Sequence, residues 1–313
     1  MYLRQLAYFS CVANNSSISA AAEELHVSQP ALSTQIKNLE ENLGFDLLKR
    51  KSRGIELTRA GERFLISTKD ILERVNRAGQ DLADYMGQVE GEVSLGLTPS
   101  IGRLLLSTIV DEVSAKYPGI TIACKQGYSD EMVAGVKSGE LNLAFSNEIG
   151  DESHMSATPL LAQELCLIGP PEIVGPNGES IEFSEIPNLK LIQERKTHAT
   201  RNLIEGMAKT LNIDLNVKVD ADPISIRKQM MASHQHCTIS MYGLFCDEIH
   251  DEDLAARPIN SPEMVRVLYM ISKKDKELRP IDRVVQEIIE EQIKKGVSQG
   301  LYHWHEPDWL PAR

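Results

Sequence analysis

Residues 19–43, Ser-Ala-Ala-Ala-Glu-Glu-Leu-His-Val-Ser-Gln-Pro-Ala-Leu-Ser-Thr-Gln-Ile-Lys-Asn-Leu-Glu-Glu-Asn-Leu, read as two short helices joined by a tight turn. Apolar residues recur at helical spacing, at Ala21 and Leu25 and then at Leu32, Ile36, Leu39 and Leu43. Ser19 can cap the first helix, with Glu23 early in it. Val27 would plug the angle between the helices. Ser28 is a natural N-cap for the second helix, and Pro30 fits its first turn, where a missing N–H costs nothing. The opposite face of that helix presents Gln29, Ser33, Thr34 and Lys37, short polar groups and one cation suited to base edges and phosphates.

Outward from this pair, Lys49-Arg50-Lys51-Ser52-Arg53-Gly54 is a basic, turn-prone run, and Ile55 and Leu57 alternate with Glu56 as in a short strand. A helix–turn–helix followed by a basic hairpin is a winged arrangement, with cations such as Arg50 and Arg53 placed to grip phosphates beside the groove. An ordinary helical hairpin is the bland alternative, and the wing argues against it.

Residues 1–62 resemble the DNA-binding domain of LysR-type transcriptional regulators. The residues that carry the resemblance are Leu6 and Phe9, Ala20-Ala21-Ala22 with Leu25, Ser28-Gln29-Pro30-Ala31-Leu32-Ser33, Ile36, Leu39-Glu40, Leu43-Gly44, Leu47, Arg50, and Leu57-Thr58-Arg59-Ala60-Gly61. One departure is Thr34, where the family often carries Arg or Lys. The resemblance implies a two-lobed effector domain over the rest of the chain, double-stranded promoter DNA as partner, and a homotetramer built as a dimer of dimers. RNA polymerase is a further candidate partner.

The 313 residues suffice for two or three domains. The net charge of −12 looks wrong for a DNA binder until it is divided along the chain. Residues 1–64 hold eight Lys and Arg against seven acids, net +1, so the remainder carries −13. A local basic patch on a near-neutral module suffices when several copies bind together, and an acidic remainder is repelled by DNA. No apolar run is long enough to span a membrane, and the start of the chain lacks a signal-peptide layout. Five scattered cysteines without a Cys-x-x-Cys suit a reducing cytoplasm.

The expected organisation is α/β overall. A winged helix–turn–helix covers 1–58 and a linker helix 59–90. A two-lobed α/β effector domain of periplasmic-binding-protein type covers 91–295, and a tail covers 296–313. Thr58 can cap the linker helix. Phe64, Ile71, Ala78 and Tyr85 lie beside Leu65, Leu72, Gly79 and Met86 in heptad-spaced rows, with Val75 and Leu82 between them, which suggests pairing with a second copy. Such a dimer would set two recognition helices about one DNA turn, roughly 34 Å, apart.

From residue 92, strands alternate with helices, which predicts parallel sheets. Strands are expected at Val93–Leu97, Ile120–Cys124 and Leu141–Phe145, with helices at Gly102–Tyr117 and Ser129–Ser138. A second run is expected from Glu164–Gly169 through Leu189–Ile192, a helix over 199–211, Leu215–Val219, a helix over 223–232 and Thr238–Ser240. Val265–Ile271 and a helix over 280–295 return the chain to the first lobe, which takes in 91–161 and 268–295, with the second at 162–267.

Ligands of open α/β sheets sit beyond the carboxyl ends of strands, against helix N-termini. Two segments qualify. Thr98 and Ser100 follow the first strand, and Thr197, His198 and Arg201 open a helix. Asn147 and Asp222 are weaker candidates. The implied ligand is a small polar anion. N-capping and a surface Arg201 are the structural alternative. His234-Gln235-His236-Cys237 replaces a Gly-x-Gly turn usual in the family, and with Cys246 and His250 it raises the question of metal. The spacings match no zinc pattern, and a strand would put His236 and Cys237 on opposite faces, so buried Cys and turn His are the preferred reading, with no metal and no cofactor. No nucleotide-binding, phosphate-loop or hydrolase motif points to an enzyme. A small-molecule binding protein with a structural N-terminal module is the competing function. The tail at Tyr302-His303-Trp304-His305 is expected to pack on a surface or on a neighbouring subunit.

Overall fold

The computed structural model describes all residues except 51–53, 86–88, 151–152, 234, 275–276 and 308–313, and gives no side-chain placement for 50, 73 and 76–85. The chain divides into two compact units, Met1–Gln88 and Val89–Arg313.

The first unit begins with α1 (Leu3–Asn15), α2 (Ile18–Glu24) and α3 (Gln29–Leu43). They close over Leu6, Phe9, Val12, Ala21, Leu32, Ile36 and Leu39, all buried, with Val27 packed into the angle as expected. Ser28 caps α3 by accepting the Ala31 N–H at 3.4 Å. The cap of α2 is Ser17 rather than Ser19. Ser17 has the extended backbone a cap needs and accepts the Ala20 N–H, whereas Ser19 already lies inside the helix. The wing is the antiparallel pair β1 (Leu48–Arg50) and β2 (Ile55–Leu57), with Lys49 opposite Glu56. Glu40 anchors it, accepting the Leu47 and Leu48 N–H groups at 2.8 and 3.0 Å.

Thr58 caps α4 (Arg59–Tyr85) through the Gly61 N–H at 2.9 Å. A side chain at Gly61 would place its Cβ 2.0 Å from the Leu47 carbonyl, so only glycine lets α4 lie against the wing. The start of the expected seam has another use. Phe64 packs on Phe9 with ring centroids 5.4 Å apart, and Leu65 joins the same core. Ile66 and Val75 are exposed. The seam positions Ala78, Gly79, Leu82, Tyr85 and Met86 lie outside the described side chains.

The second unit is α/β, but its sheet is mixed rather than parallel. Near its start, β3 (Gly91–Leu97) runs parallel to β4 (Ile120–Gln126) and β5 (Leu143–Ser146). Between them come α5 (Pro99–Leu104), α6 (Leu106–Lys116) and α7 (Ser129–Ser138); Leu105, at φ −120, divides the single helix expected over 102–117. The chain then enters β6 (Met155–Gly169), fifteen residues long, and passes α8 (Pro171–Val174), β7 (Ile181–Glu182), β8 (Leu191–Gln193), α9 (Ala199–Thr210), β9 (Val217–Asp220), α10 (Ile224–Met231), β10 (Thr238–Met241), α11 (Cys246–His250) and β11 (Ala255–Asn260). It returns through β12 (Val265–Lys273), α12 (Pro280–Ser298) and β13 (Trp304–His305).

β12 is antiparallel to both β5 and β6, and β10 and β11 are antiparallel to β6. The sequence hides β6 and β11 because each contains a proline, which usually argues against a strand. Pro159 is accommodated where the β6–β12 register slips between Leu268 and Tyr269.

Two large apolar cores result, with a smaller cluster of Met132, Val136, Leu141, Ala144, Met155 and Ile271 beside them. Val93, Leu95, Ile109, Leu143, Phe145, Leu268, Val285 and Ile289 fill the first lobe. Leu167, Phe183, Ile192, Ile204, Met231, Ile239 and Phe245 fill the second. β6 carries the chain from one lobe to the other and β12 carries it back. No helix among the described residues is long and apolar enough to cross a membrane.

Two oddities of the sequence find a place here. His236 adopts no positive φ, so it carries no left-handed strain in place of a glycine, and His234 lies outside the described residues. Cys237 is buried, its N–H donates to the Lys190 carbonyl at 3.0 Å, and burial pushes its thiol up to about 12. The beginning of the tail docks on its own chain. Gly300, at φ +64, turns it back, and Trp304 is 2% exposed in the first core. β13 pairs with Gln163 and Ala162 of β6, and Glu164 receives His303 Nδ1 at 3.1 Å and His305 Nε2 at 3.0 Å.

The His303 hydrogen bond holds the Glu164 carboxyl below its ordinary 4.5. A lowered folded value stabilises at pH above about 4.5, and the stabilisation is lost as pH falls through the folded value. Glu164→Gln is therefore expected to destabilise at about pH 6 and to destabilise less at about pH 3. Thermal midpoints at the two pH values check this. A difference independent of pH would mean that the Glu164 charge does not hold the tail.

Candidate functional site

The exposed face of α3 is set by its caps and its buried side. With Leu32, Ile36 and Leu39 turned inward, Gln29, Pro30, Thr34 and Lys37 face solvent and Ser33 is half-buried among them. Two of these groups are already engaged. The Thr34 hydroxyl donates to the Pro30 carbonyl at 2.9 Å, and Lys37 lies 3.5 Å from Glu41. Gln29 and Ser33, one helical turn apart, make the polar row best placed for a groove. Arg50 ends β1, without a described side chain, and Arg53 lies outside the described residues.

The second candidate is a cleft between the lobes of the second unit. Thr98, Ser100, Asn147, Thr197 and His198, named from the sequence, all line it, together with Tyr128, Ser129, Glu194, Arg227 and Arg266. It encloses about 30 Å³ of free space, room for a water or two.

From the first lobe come Thr98 and Ser100, with hydroxyls 3.4 Å apart. Ser129 accepts the Asn147 N–H at 3.0 Å, and the Asn147 amide donates to the Val267 carbonyl at 3.1 Å. Tyr128 spans the cleft, donating to the Asp222 carbonyl at 2.6 Å and stacking on His198 with ring centroids 4.0 Å apart. Burial pushes the Tyr128 phenol up to about 12.

Two sequence candidates stand elsewhere. Asp222 is not in the lining. It accepts the Arg195 N–H at 3.0 Å, pairs with the Arg195 guanidinium, and holds His198 Nε2 at 3.0 Å, so it orients His198 from behind. Burial pushes its carboxyl up, but the hydrogen bonds from Arg195 outweigh this and leave it below the usual range. Arg201 turns away altogether. It donates to the Glu194 carbonyl at 3.1 Å and to Asp220 at 3.0 Å, and pairs with Glu205 at 2.7 Å, fastening α9 to the strands behind it. The helix turn that places Thr197 and Thr200 on the cleft side carries Arg201 to the opposite side.

The sequence reading missed the strongest charges. Arg227 on α10 is fully buried, with Nη2 3.2 Å from Glu194 Oε1. Arg266 on β12 is hydrogen-bonded to Thr200, and burial pushes its guanidinium down to about 10. A lone arginine inside an otherwise apolar strand, Val265-Arg266-Val267-Leu268, was the available signal, because such a residue is rarely buried without a task. None of the five free cysteines lines the cleft.

The comparisons agree with both halves of this geometry. A family model described as a bacterial regulatory helix–turn–helix protein of the lysR family matches residues 3–62, and one described as the LysR substrate binding domain matches residues 86–294. The uncharacterized HTH-type transcriptional regulator YybE of Bacillus subtilis is 25% identical over 92% of this chain and 98% of its own length. The transcriptional dual regulator OxyR of Escherichia coli is 24% identical over 89% and 92%. The crystal structure of full-length CbnR complexed with its target DNA aligns with a TM-score of 0.67 and 25% identity, covering 93% of this chain and 99% of CbnR. A full-length OxyR from Pseudomonas aeruginosa has the same fold, with a TM-score of 0.72 at 20% identity, covering 94% of this chain and 95% of that one. The chain belongs to the LysR family, DNA-binding transcriptional regulators that join a helix–turn–helix to a substrate-binding effector domain.

Proposed function

We infer that this regulator binds promoter DNA through Gln29 and Ser33 on base edges, with Ser28, Pro30, Thr34, Lys37, Arg50 and Arg53 on or near the backbone, and that a small anion in the interlobe cleft sets its activity. The observation that carries the effector reading is the charge inside the cleft. Two buried guanidiniums, Arg227 and Arg266, face one buried carboxylate, Glu194. Nε and Nη1 of Arg227 have no hydrogen-bond partner. Buried donors without partners are costly, and an anion supplies both acceptors and the missing charge. Thr98, Ser100, Ser129 and Thr197 add hydroxyls, and the N-terminus of α9 adds its dipole. Binding between the lobes would favour one arrangement of the effector domain over another. The assembly is a homodimer joined through α4, paired again into a homotetramer, working in the cytoplasm with RNA polymerase as its downstream partner.

A gel-shift titration on the chain's own upstream DNA against scrambled DNA, at two salt concentrations, tests the first half. Selective retention is expected. Replacing Gln29 or Ser33 by alanine is expected to cost about 1–3 kcal/mol on the selected DNA and little on scrambled DNA. An equal loss on both would remove these residues from base readout. For the second half, small carboxylates are expected to raise the melting temperature, and Arg227→Met to abolish the rise.

A further inference from the structure

The cleft holds an acceptor as well as donors, and this narrows the ligand. Glu194 is 2% exposed. Its Oε1 faces Arg227 at 3.2 Å, while Oε2 has no hydrogen-bond partner. A carboxylate oxygen sealed from water and left without a donor is costly. Arg227, the nearest cation, makes no hydrogen bond to it, and two other neighbouring donors are committed elsewhere. Arg266 is on the Thr200 hydroxyl and the Tyr128 hydroxyl is on the Asp222 carbonyl, while His198 Nε2 faces Asp222 at 3.0 Å without hydrogen-bond geometry.

We propose that the effector is a small hydroxycarboxylate. Its carboxylate sits on the unpaired N–H groups of Arg227, and its hydroxyl donates to Glu194 Oε2. The assignment rests on reading the cleft as an anion site and adds the donor to it.

Charge and size argue for a hydroxyl on a compact acid. Among the buried groups, two guanidiniums and one carboxylate leave one positive charge in excess, which a monocarboxylate with a neutral hydroxyl cancels; Asp130 and Glu148 also line the cleft but are exposed. An α-amino acid, with no net charge, leaves that excess in place. A simple fatty acid or a 2-oxo acid brings only acceptors, so Glu194 Oε2 stays unpaired and, for the oxo acid, faces another oxygen. Sites built to hydrogen-bond a hydroxyl discriminate strongly against analogues that lack it, because their own polar group is then left alone. The enclosed space of about 30 Å³ holds a water or two, so the lobes must part even for glycolate, and least for the smallest members of the class.

The test is a calorimetric and thermal-shift series on the full chain with sodium salts at equal ionic strength. Glycolate and both enantiomers of lactate are compared with acetate, propionate, pyruvate, glycine and alanine. Glycolate or a lactate is expected to bind at least about ten-fold tighter than acetate, propionate and pyruvate. Glu194→Gln is expected to erase that preference, because its amide can donate to an oxo group. If Glu194→Gln fails to fold, the series on the unsubstituted protein decides alone. Equal binding of lactate, propionate and pyruvate would overturn the hydroxyl assignment and leave the anion site standing. Tightest binding of glycine or alanine would also overturn it, in favour of an ammonium donor. Binding of none of the acids would overturn both the assignment and the anion reading of the cleft.

Discussion

Glu194→Ala is expected to destabilise the effector domain by about 3–5 kcal/mol. Arg227 has no solvent exposure, and Glu194 is the carboxylate within 4 Å of it among the described residues. Their contact at 3.2 Å is one of charge, without hydrogen-bond geometry, so Arg227 has no second partner to fall back on. Truncating Glu194 leaves a cation in the interior beside Phe245, whose ring centroid lies 5.8 Å from the guanidinium carbon. A cation–π contact of that length offsets only a small part of the loss. The double replacement Glu194→Leu with Arg227→Met removes both charges and is expected to recover most of the stability, because a buried pair often gains little over apolar residues of similar size. Urea midpoints for the single and double variants give the coupling directly. If the single replacement cost less than about 1 kcal/mol, the charge of Arg227 would have to be met elsewhere in the fold.

Trp304→Ala should be comparably costly, at about 3–5 kcal/mol. The indole is 2% exposed and completes the core of the first lobe against α12. Its seat is made by Gly296, where a Cβ would come within 2.9 Å of the ring, so the indole lies flush on the helix backbone. Tyr302 packs edge-on at 5.2 Å. Deleting the side chain opens a cavity that the flanking β13 pairing prevents from collapsing. Trp304→Phe should lose markedly less. Denaturant unfolding followed by circular dichroism measures both. A near-neutral Trp304→Ala would show that the tail rests on the lobe without supporting it.

The sequence was most legible where structure is local. Caps at Ser28 and Thr58, a plug at Val27 and helical apolar spacing all act within a few residues, and they located the exposed face of α3. The heptad reading overreached at Phe64 and Leu65, because a residue can keep a seam's spacing while serving its own domain's core. Polar groups placed after strands or at helix starts, Thr98, Ser100, Asn147, Thr197 and His198, were also legible as cleft lining, since the chain direction of an α/β sheet fixes where such a cleft opens. Arg201 misled because the spacing of a helix N-terminus does not say which way its next turn faces. Glu194, Arg227 and Arg266 were hidden because their meaning lies in pairs made across separate elements, as when Arg266 reaches Thr200. The mixed sheet was hidden by prolines and by a strand, β6, that serves two cores.

The double service of β6 also orders events on the ribosome. The second lobe draws its core from an almost unbroken run, Leu165 to Met264, and can close as soon as that run has emerged. The first lobe cannot. Its strands β3, β4 and β5 are made early, yet the edge of β5 waits for β12, and its core waits for α12 and then Trp304. An open strand edge is a template for wrong pairing. A nascent chain therefore makes more than a hundred residues, from the end of β5 to the start of β12, with the first lobe half-built, and the second lobe is complete only as that interval ends. Messages cut short before residue 265 are expected to yield protein that aggregates through that edge, even though the whole helix–turn–helix has been made.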